Sequence, residues 1–422
     1  MLLLALVVLV ASVTGSPVLA DELQDRFDEA LTALNADRVN TARRLLSSLV
    51  ADHPNLHRAR LELARANYLA RDFAAAKKEA ERVLADAEVP SDVRTTILAL
   101  LAQIRDDQQR FEKRHNWSGD VYAGVMYDSN VNFGVTRDII EVSGVPFIVN
   151  PNSRERSDWA MVGDAGVTHN FNPNRSFAAG ERTGSFIWQS QGNIYYRQYA
   201  DDTEFDLGVL TLRTGPTWIV PGSWRFALGA QVDQIWLGDD ELALFTSINP
   251  VFARQIGDSA EVTVEYIGTD RDYDRPQDKV AGRDGWLNHG KLSVARYNES
   301  RQVVFSAGVG YADFDADKDR FSYSGPEIFG GVAAEMWARG TVYVRAGYRQ
   351  YDFEGLEPGF TQSRDDKESR LAAGFRHEMA DGPLPKWILQ GEWAWTDNDA
   401  SDVPLYDYDR SQISLGISRQ FE

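Results

Sequence analysis

The end of the chain most constrains the fold, because its side chains alternate between apolar and polar. Over residues 411–421 the even positions are polar or glycine, and the odd positions from 413 onward are large and apolar except at Arg419. Successive side chains of an extended strand point to opposite faces, so this pattern places one face in an apolar medium and the other in a polar one. The sequence therefore predicts a C-terminal strand whose apolar face comprises Ile413, Leu415, Ile417 and Phe421.

The same period of two returns throughout the chain after residue 116. Clear examples are residues 225–233, 261–265, 302–309, 341–349 and 387–395, each with an apolar and a polar face. Roughly 14 extended segments can be counted up to the C-terminus, and a closed bacterial outer-membrane barrel needs an even number of strands. A soluble sandwich of two sheets would show the same alternation, with the apolar faces packed together.

The placement of tryptophan and the lengths of the connections favour the barrel. Trp224 and Trp236 bracket one segment, as expected where aromatic girdles flank a hydrocarbon band. Short turns such as residues 221–222 alternate with long acidic loops, which is the asymmetry of barrels with short periplasmic turns and long external loops. The long loops are predicted at residues 129–156, 270–283, 312–320, 354–366 and 397–408. We predict an antiparallel, all-β transmembrane barrel of roughly 14 strands.

Residues 21–115 have a different composition, which predicts α-helices. No glycine occurs between Glu22 and Phe111, and Ala, Leu, Arg and Glu dominate. Helix-breaking residues at 35–37, 53–55, 71–72 and 89–91 divide the segment into helices of about 14 residues and a longer last one.

A period of 34 residues is visible in this helical segment. Ala42 and Leu46 recur 34 positions later as Ala76 and Ala80. A helix–turn–helix unit of this length, with small residues at close helix contacts, resembles tetratricopeptide repeats, which present a groove for a peptide or partner helix. A plain helical bundle is the alternative. The positions expected to define the repeat are Ala42, Leu46, Pro54, Phe73 and Ala76.

The first 20 residues resemble a secretory signal peptide. Residues 1–13 are almost wholly apolar, and small residues precede a predicted cleavage point after Ala20. The apolar run is too short to span a bilayer comfortably, and a buried N-terminal element is the alternative. The predicted organisation is a signal peptide over 1–20, a periplasmic repeat-like helical domain over 21–115, and an outer-membrane barrel over 116–422.

Composition excludes several classes of function. The chain has no cysteine, so it has no disulfide, thiolate metal site or cysteine nucleophile. Its net charge is −19, of which residues 21–116 contribute only −1. Excess acid argues against nucleic acid as a partner. No GxSxG, HExxH or P-loop motif occurs, so neither an enzymatic activity nor a cofactor is predicted.

Charged residues on the polar faces of the predicted strands are candidates for the barrel lumen. They would form ion pairs that hold the wall rigid, or set the selectivity of a pore. The candidates are Asp233, Glu261, Glu265, Arg345, Arg349 and Glu392.

Aspartates also alternate in the predicted loop 312–320, at Asp313, Asp315, Asp317 and Asp319. Alternate carboxylates can bind Ca²⁺, but the glycine and closing glutamate of an EF-hand are missing at the required spacing. We therefore predict an acidic external loop rather than a dedicated calcium site.

The junction between the two halves carries a more specific signal. Residues 119–134, GDVYAGVMYDSNVNFG, open the first predicted strand and loop. This stretch, following a signal peptide and short helical repeats, resembles the start of the barrel in the surface lipoprotein assembly modifier family. The resemblance implies an outer-membrane translocon whose periplasmic repeats receive a client, chiefly a surface lipoprotein or a soluble secreted protein. The implied partners are outer-membrane lipid, the client, the barrel-assembly machinery and periplasmic chaperones.

Two other classes of function remain open from the sequence. A polysaccharide export porin also joins such repeats to a barrel, usually with far longer repeat arrays. A solute-diffusion porin with a periplasmic partner-docking domain is the other alternative. A steady ion conductance would favour either of them over a gated translocon.

Overall fold

The computed structural model describes residues 17–86, 89–380, 385–400 and 402–422. Apart from its last four residues, the predicted signal peptide lies outside this range. The chain divides into two compact units. One contains the residues up to Arg114 together with Asn172–Phe186, and the other contains His115–Phe171 and Ile187–Glu422. None of the described helices is long and apolar enough to cross a membrane.

Five helices form most of the first unit, and their ends lie close to the predicted breaks. The two loops with a left-handed residue, Asp37 (φ 59°) and Arg71 (φ 59°), separate the first from the second helix and the third from the fourth. Asp72 caps the fourth helix by accepting a hydrogen bond from the Ala75 N–H at 3.2 Å. The helices are α1 (Pro17–Asn35), α2 (Val39–Asp52), α3 (His57–Leu69), α4 (Phe73–Leu84) and α5 (Ser91–Glu112).

The helices pack around two apolar clusters. One joins α1, α2 and α3, and the other joins α3, α4 and α5. Among the positions expected to define the repeat, Ala42, Leu46 and Ala76 are fully buried. Phe73 is half-buried and contacts other aromatic rings, while Pro54 is exposed. Helix–turn–helix pairs are therefore present, and their assignment to the tetratricopeptide class stays a prediction.

Fourteen strands close into an antiparallel barrel, which confirms the predicted fold class. The barrel strands are β1 (His115–Asp128), β4 (Asp158–Phe171), β6 (Arg182–Tyr199), β7 (Leu207–Val220), β8 (Trp224–Leu237), β9 (Asp240–Ile256), β10 (Ala260–Tyr273), β11 (Gly285–Tyr297), β12 (Val303–Ala316), β13 (Tyr323–Trp337), β14 (Gly340–Leu356), β15 (Ser363–Glu378), β16 (Ile388–Asp399) and β17 (Tyr408–Phe421). Three short strands lie in connections: β2 (Ile139–Val142), β3 (Val145–Ile148) and β5 (Ser176–Ala179).

The barrel closes where the first strand meets the last. β1 pairs with β17 over ten positions, from Gly119 opposite Phe421 to Asp128 opposite Gln412. Every other neighbouring pair of barrel strands is consecutive in the chain. We call the β1–β17 pairing the seam.

Four of the five predicted long loops are shorter than expected, because the strands continue into them. β10 runs to Tyr273, β12 to Ala316, β14 to Leu356 and β16 to Asp399. The helix α6 (Pro276–Ala281) occupies the connection after β10. In these extensions the alternation continues with its faces exchanged: in β12, Phe314 and Ala316 are buried in an apolar cluster, while Asp313 and Asp315 lie on the exposed outer face. The lipid-facing pattern therefore ends before the strand does. Asp313 and Asp315, predicted in a loop, therefore belong to β12.

The connection between β4 and β6 joins the strand ends opposite to these long loops, and it is longer than turns there such as residues 221–223. Residues 172–186 form a hairpin, in which β5 pairs with the start of β6 around Gly180 (φ 62°). This hairpin belongs to the helical unit. The Glu181 carboxylate accepts hydrogen bonds from the Thr41 N–H (2.9 Å) and the Thr41 hydroxyl (3.0 Å) in the first turn of α2.

Glu181 thus supplies a cap that α2 lacks in its own sequence. Arg38, the N-cap residue of α2, makes no side-chain cap bond. A carboxylate at a helix N-terminus satisfies free N–H groups and complements the helix dipole. These hydrogen bonds hold the pKa of Glu181 below its usual range. The Asn40 amide also donates to the Gly180 carbonyl at 2.8 Å, so the hairpin is bound to α2 at several points.

Candidate functional site: the barrel lumen

The two faces of the barrel wall differ in chemistry as the alternation predicts. Large apolar side chains at every second position are exposed, including Ile413 (55%) and Phe305 (56%). The opposite face lines shared cavities. One of them, of 660 Å³, is lined by Tyr122 and Tyr195 and also by Thr341 and Tyr343. Side chains from strands so far apart in the ring can share a cavity only inside the barrel, so this polar face is the lumen.

The lumen wall carries charged groups that are paired with one another. A second cavity, of 450 Å³, lies among charged residues of β13, β14, β15 and β16. Glu368 is almost fully buried there and accepts from Arg349 at 2.7 Å and from the Tyr408 hydroxyl at 3.2 Å. On the neighbouring strands, Glu327 contacts the His289 ring at 3.0 Å. These contacts run between strands and fix the shape of the wall.

The six predicted lumen residues fall into three groups in the structure. Arg345 and Glu392 form an ion pair, and the Tyr343 hydroxyl donates to the same carboxylate at 2.7 Å. Arg349 lies on the same strand as Arg345 and pairs with Glu368 instead.

The remaining predicted residues lie on β8 and β10. Glu261 receives two parallel hydrogen bonds from Arg225, at 2.9 and 2.8 Å. Glu265 accepts from the Asn249 amide at 3.1 Å, and Asp233 accepts from the Thr211 hydroxyl at 2.6 Å. The structure therefore brings Arg345 and Glu392 together and leaves the other four with partners that the sequence did not indicate.

The least exposed ionic group lies at one end of the seam and was not among the sequence candidates. The Asp128 carboxylate is fully buried and accepts from the Arg410 guanidinium through Nε (2.9 Å) and Nη2. It also accepts from the Tyr199 hydroxyl at 2.7 Å and the Gln412 amide at 2.9 Å. We call Asp128 and Arg410 the clasp, because they join the first barrel strand to the last.

The rest of the YDSNVN stretch surrounds the clasp. The Asn130 amide donates to the carbonyls of Asp409 and Gly134, both at 2.9 Å, and is fully buried. Ser129 exchanges hydrogen bonds with Ser411 across the seam, at 2.9 and 2.8 Å. The motif was visible in the sequence, but its partners are about 280 residues away, so its structural role was not.

The first long loop, between β1 and β4, folds over the same end of the barrel. β2 and β3 form a separate two-stranded sheet in it. The Ser143 hydroxyl donates to the Gly359 carbonyl at 2.8 Å, and Arg137 pairs with Asp407 at 3.0 Å. The long connections at this end are thus bonded to one another.

The part of the chain that the structure describes contains no group of three or more histidines, cysteines or carboxylates placed to hold a metal ion. Asp313 and Asp315 lie exposed on β12 rather than converging in a loop. The geometry of the described residues therefore provides no calcium site there.

Comparison with solved structures finds outer-membrane barrels. OprD of Pseudomonas aeruginosa is 10% identical, with 72% of this chain and 94% of that chain covered and a TM-score of 0.38. OmpT of Vibrio cholerae is 9% identical, with 73% and 99% covered and a TM-score of 0.39. An anion-selective porin from Comamonas acidovorans is 11% identical, with 73% and 99% covered and a TM-score of 0.39. Likeness of this degree says nothing about what the lumen carries.

Comparison with curated protein sequences gives no match. The sequence profile of a family described as surface lipoprotein assembly modifier matches residues 117–421, which is the whole barrel. The matched region includes the YDSNVN stretch and the closing strand. The fold and the match together place the protein in the bacterial outer membrane, and the chain belongs to the surface lipoprotein assembly modifier family.

Proposed function

We propose that this protein is an outer-membrane translocon that delivers client proteins from the periplasm to the cell surface. The clients are surface lipoproteins or a soluble secreted protein. The observation that carries the proposal is the closed barrel of this family with a polar lumen, whose wall is fixed by ion pairs such as Arg345–Glu392 and Arg349–Glu368. A polar passage lets an incompletely folded polypeptide cross without exposing its backbone to lipid.

The helical unit is proposed to receive the client in the periplasm. Its helix–turn–helix pairs bury two separate cores and leave the remaining helix surface free to bind an extended segment or a partner helix. The hairpin 172–186 binds this unit through Glu181 and is continuous in the chain with β4 and β6. The proposed partners are periplasmic chaperones, which would deliver the client, and the barrel-assembly machinery. The driving force would be folding of the client outside the cell.

A surface-exposure assay tests the proposal. A lipoprotein encoded beside this gene is expressed in a Gram-negative host lacking both, with and without the protein, and surface-labelled lipoprotein is counted on intact cells. We expect exposure only with the protein, and loss of exposure on deletion of residues 21–115. Heat-modifiable migration of the barrel is the control for correct insertion.

A lipoprotein that stays periplasmic beside a correctly inserted barrel would overturn the proposal. If the same barrel then conducts ions steadily in planar bilayers, a solute-diffusion or polysaccharide export porin takes its place.

A further inference from the structure

Side-chain hydrogen bonds and ion pairs cross the seam at one end only. At the clasp end, Asp128 binds Arg410 and Gln412, Asn130 binds the Asp409 carbonyl, and Ser129 binds Ser411. From residue 125 back to 119 on β1, the described residues show no side-chain hydrogen bond or ion pair that crosses to β17. That half of the seam, which we call the unlaced half, is held by backbone pairing and by the packing of the Tyr122 ring over Gly416.

The unlaced half also contains two glycines directly opposite each other. Gly124 lies opposite Gly416 there, and the Tyr122 ring covers both. Glycine in a strand interior contributes no side-chain packing. Side-chain contact at this position therefore rests on one aromatic ring, with no hydrogen bond or ion pair among the described residues to add to it.

The seam also differs from every other strand pair in its connectivity. Neighbouring strands elsewhere are joined by a turn or loop, whereas β1 and β17 lie at opposite ends of the barrel sequence. They can therefore separate without straining a connection. The apolar side chains of Ala123, Val125, Ile417 and Leu415 already face the lipid side along this stretch.

We propose, on the basis of the translocon function above, that the seam opens toward the lipid during transport of a lipid-modified client. The acyl chains then remain in the bilayer while the attached polypeptide crosses the lumen. Acyl chains are strongly favoured in hydrocarbon over a polar, ion-paired lumen. The unlaced half lies at the end of the barrel where β1 begins and β17 ends, and it opens first. The clasp is the last contact that must break. The polypeptide lies in the lumen while its acyl chains lie in the lipid outside the wall, so the client cannot be released while any part of the seam stays closed.

Cysteine pairs can lock the seam selectively, because the chain contains no cysteine. Ala123→Cys with Ile417→Cys locks the unlaced half, and Tyr127→Cys with Ile413→Cys locks the clasp half. Both pairs are directly opposite in the seam. Directly opposite residues of antiparallel strands are close enough for a disulfide. The matched control is Val264→Cys with Leu292→Cys, an opposite pair between β10 and β11.

Each locked protein is tested with an acylated client and with the same client whose acylated cysteine is changed to serine. We expect both seam locks to lower surface release of the acylated client at least tenfold, with recovery after reduction. The acylated client should accumulate bound to the locked barrel. The serine form should pass as it does through the unlocked protein, and the control lock should affect neither form.

Full release of the acylated client through a completely disulfide-locked seam overturns this inference and leaves the translocon function intact. Equal loss of both client forms also overturns it, because the seam would then not be specific for the acyl chains. If even the unlocked protein does not transport the serine form, the inference is tested only by whether the acylated client accumulates on the locked barrel. If the unlocked protein displays neither client, it is the proposed function that fails.

Discussion

The clasp gives a prediction whose magnitude follows from its burial. Asp128 and Arg410 form a two-bond ion pair with side-chain exposures of 0% and 10%. Arg225 and Glu261 form a pair of the same chemistry in the same lumen, with exposures of 51% and 32%. The clasp uses Nε and Nη2 of its arginine, and its carboxylate has Tyr199 and Gln412 as further donors, whereas the exposed pair uses Nη1 and Nη2. Both pairs have two hydrogen bonds and differ strongly in solvent access, so the exposed pair serves as the control.

Removing one partner of a buried pair leaves an uncompensated charge, which typically costs about 3–5 kcal/mol. We expect Asp128→Ala or Arg410→Ala to lower the free energy of unfolding by about this amount. The double variant should cost clearly less than the sum of the two, because neither charge then remains. For the exposed pair, the coupling should stay below about 1 kcal/mol, because water screens it.

The measurement is a double-mutant cycle for each pair. Unfolding of the full chain in phospholipid vesicles is followed by tryptophan fluorescence against guanidinium, with the same variants in both cycles. Couplings of equal size in the two pairs would refute the reasoning, since burial would then not govern the strength of the clasp. A clasp variant with unchanged stability would show that the remaining Tyr199 and Gln412 contacts compensate, and the clasp would not be a barrier to opening.

Three further predictions concern other parts of the molecule. Leu46→Ala, which empties a fully buried site, should destabilise the helical unit by about 2–5 kcal/mol, measured as an earlier loss of the 222 nm helical signal on heating. Glu181 has a lowered pKa, so its contact with Thr41 is complete above the ordinary glutamate pKa and is lost as pH falls through the lowered value. The protection of the hairpin amides, relative to their intrinsic exchange rate at each pH, should therefore fall at low pH. Glu181→Gln should remove this dependence. Gly215→Ala should impair barrel folding, since a Cβ there would lie 1.9 Å from a backbone carbonyl, whereas Gly163→Ala, with open space, should fold normally in the same heat-modifiability assay.

The fold was predictable because a barrel in a membrane imposes a simple rule on every strand. Each residue must face either lipid or the lumen. The apolar face of the last strand could therefore be predicted without information about its neighbouring strands; it comprises Ile413, Leu415, Ile417 and Phe421. The strand ends were less predictable, since β12 and β14 continue beyond the lipid-facing band, where an apolar cluster that includes Phe314 and Phe353 packs on the opposite face. The lumen candidates followed from parity alone, so the sequence indicated their face but not their contacts.

The sequence by itself predicted roughly 14 strands, an apolar and a polar face for the clearest of them, the approximate breaks between helices and the family resemblance, because these depend on local periodicity and on short motifs. Only the tertiary structure decided which charges meet. Asp128 and Arg410 are 282 positions apart, and Thr41 and Glu181 are 140 apart. Such contacts depend on strand register and on the docking of one segment against another, and neither leaves a periodic trace in the chain. The physical reason is that the alternation of apolar and polar residues depends on the medium that each side chain faces, whereas an ion pair depends on which residue the fold places beside it.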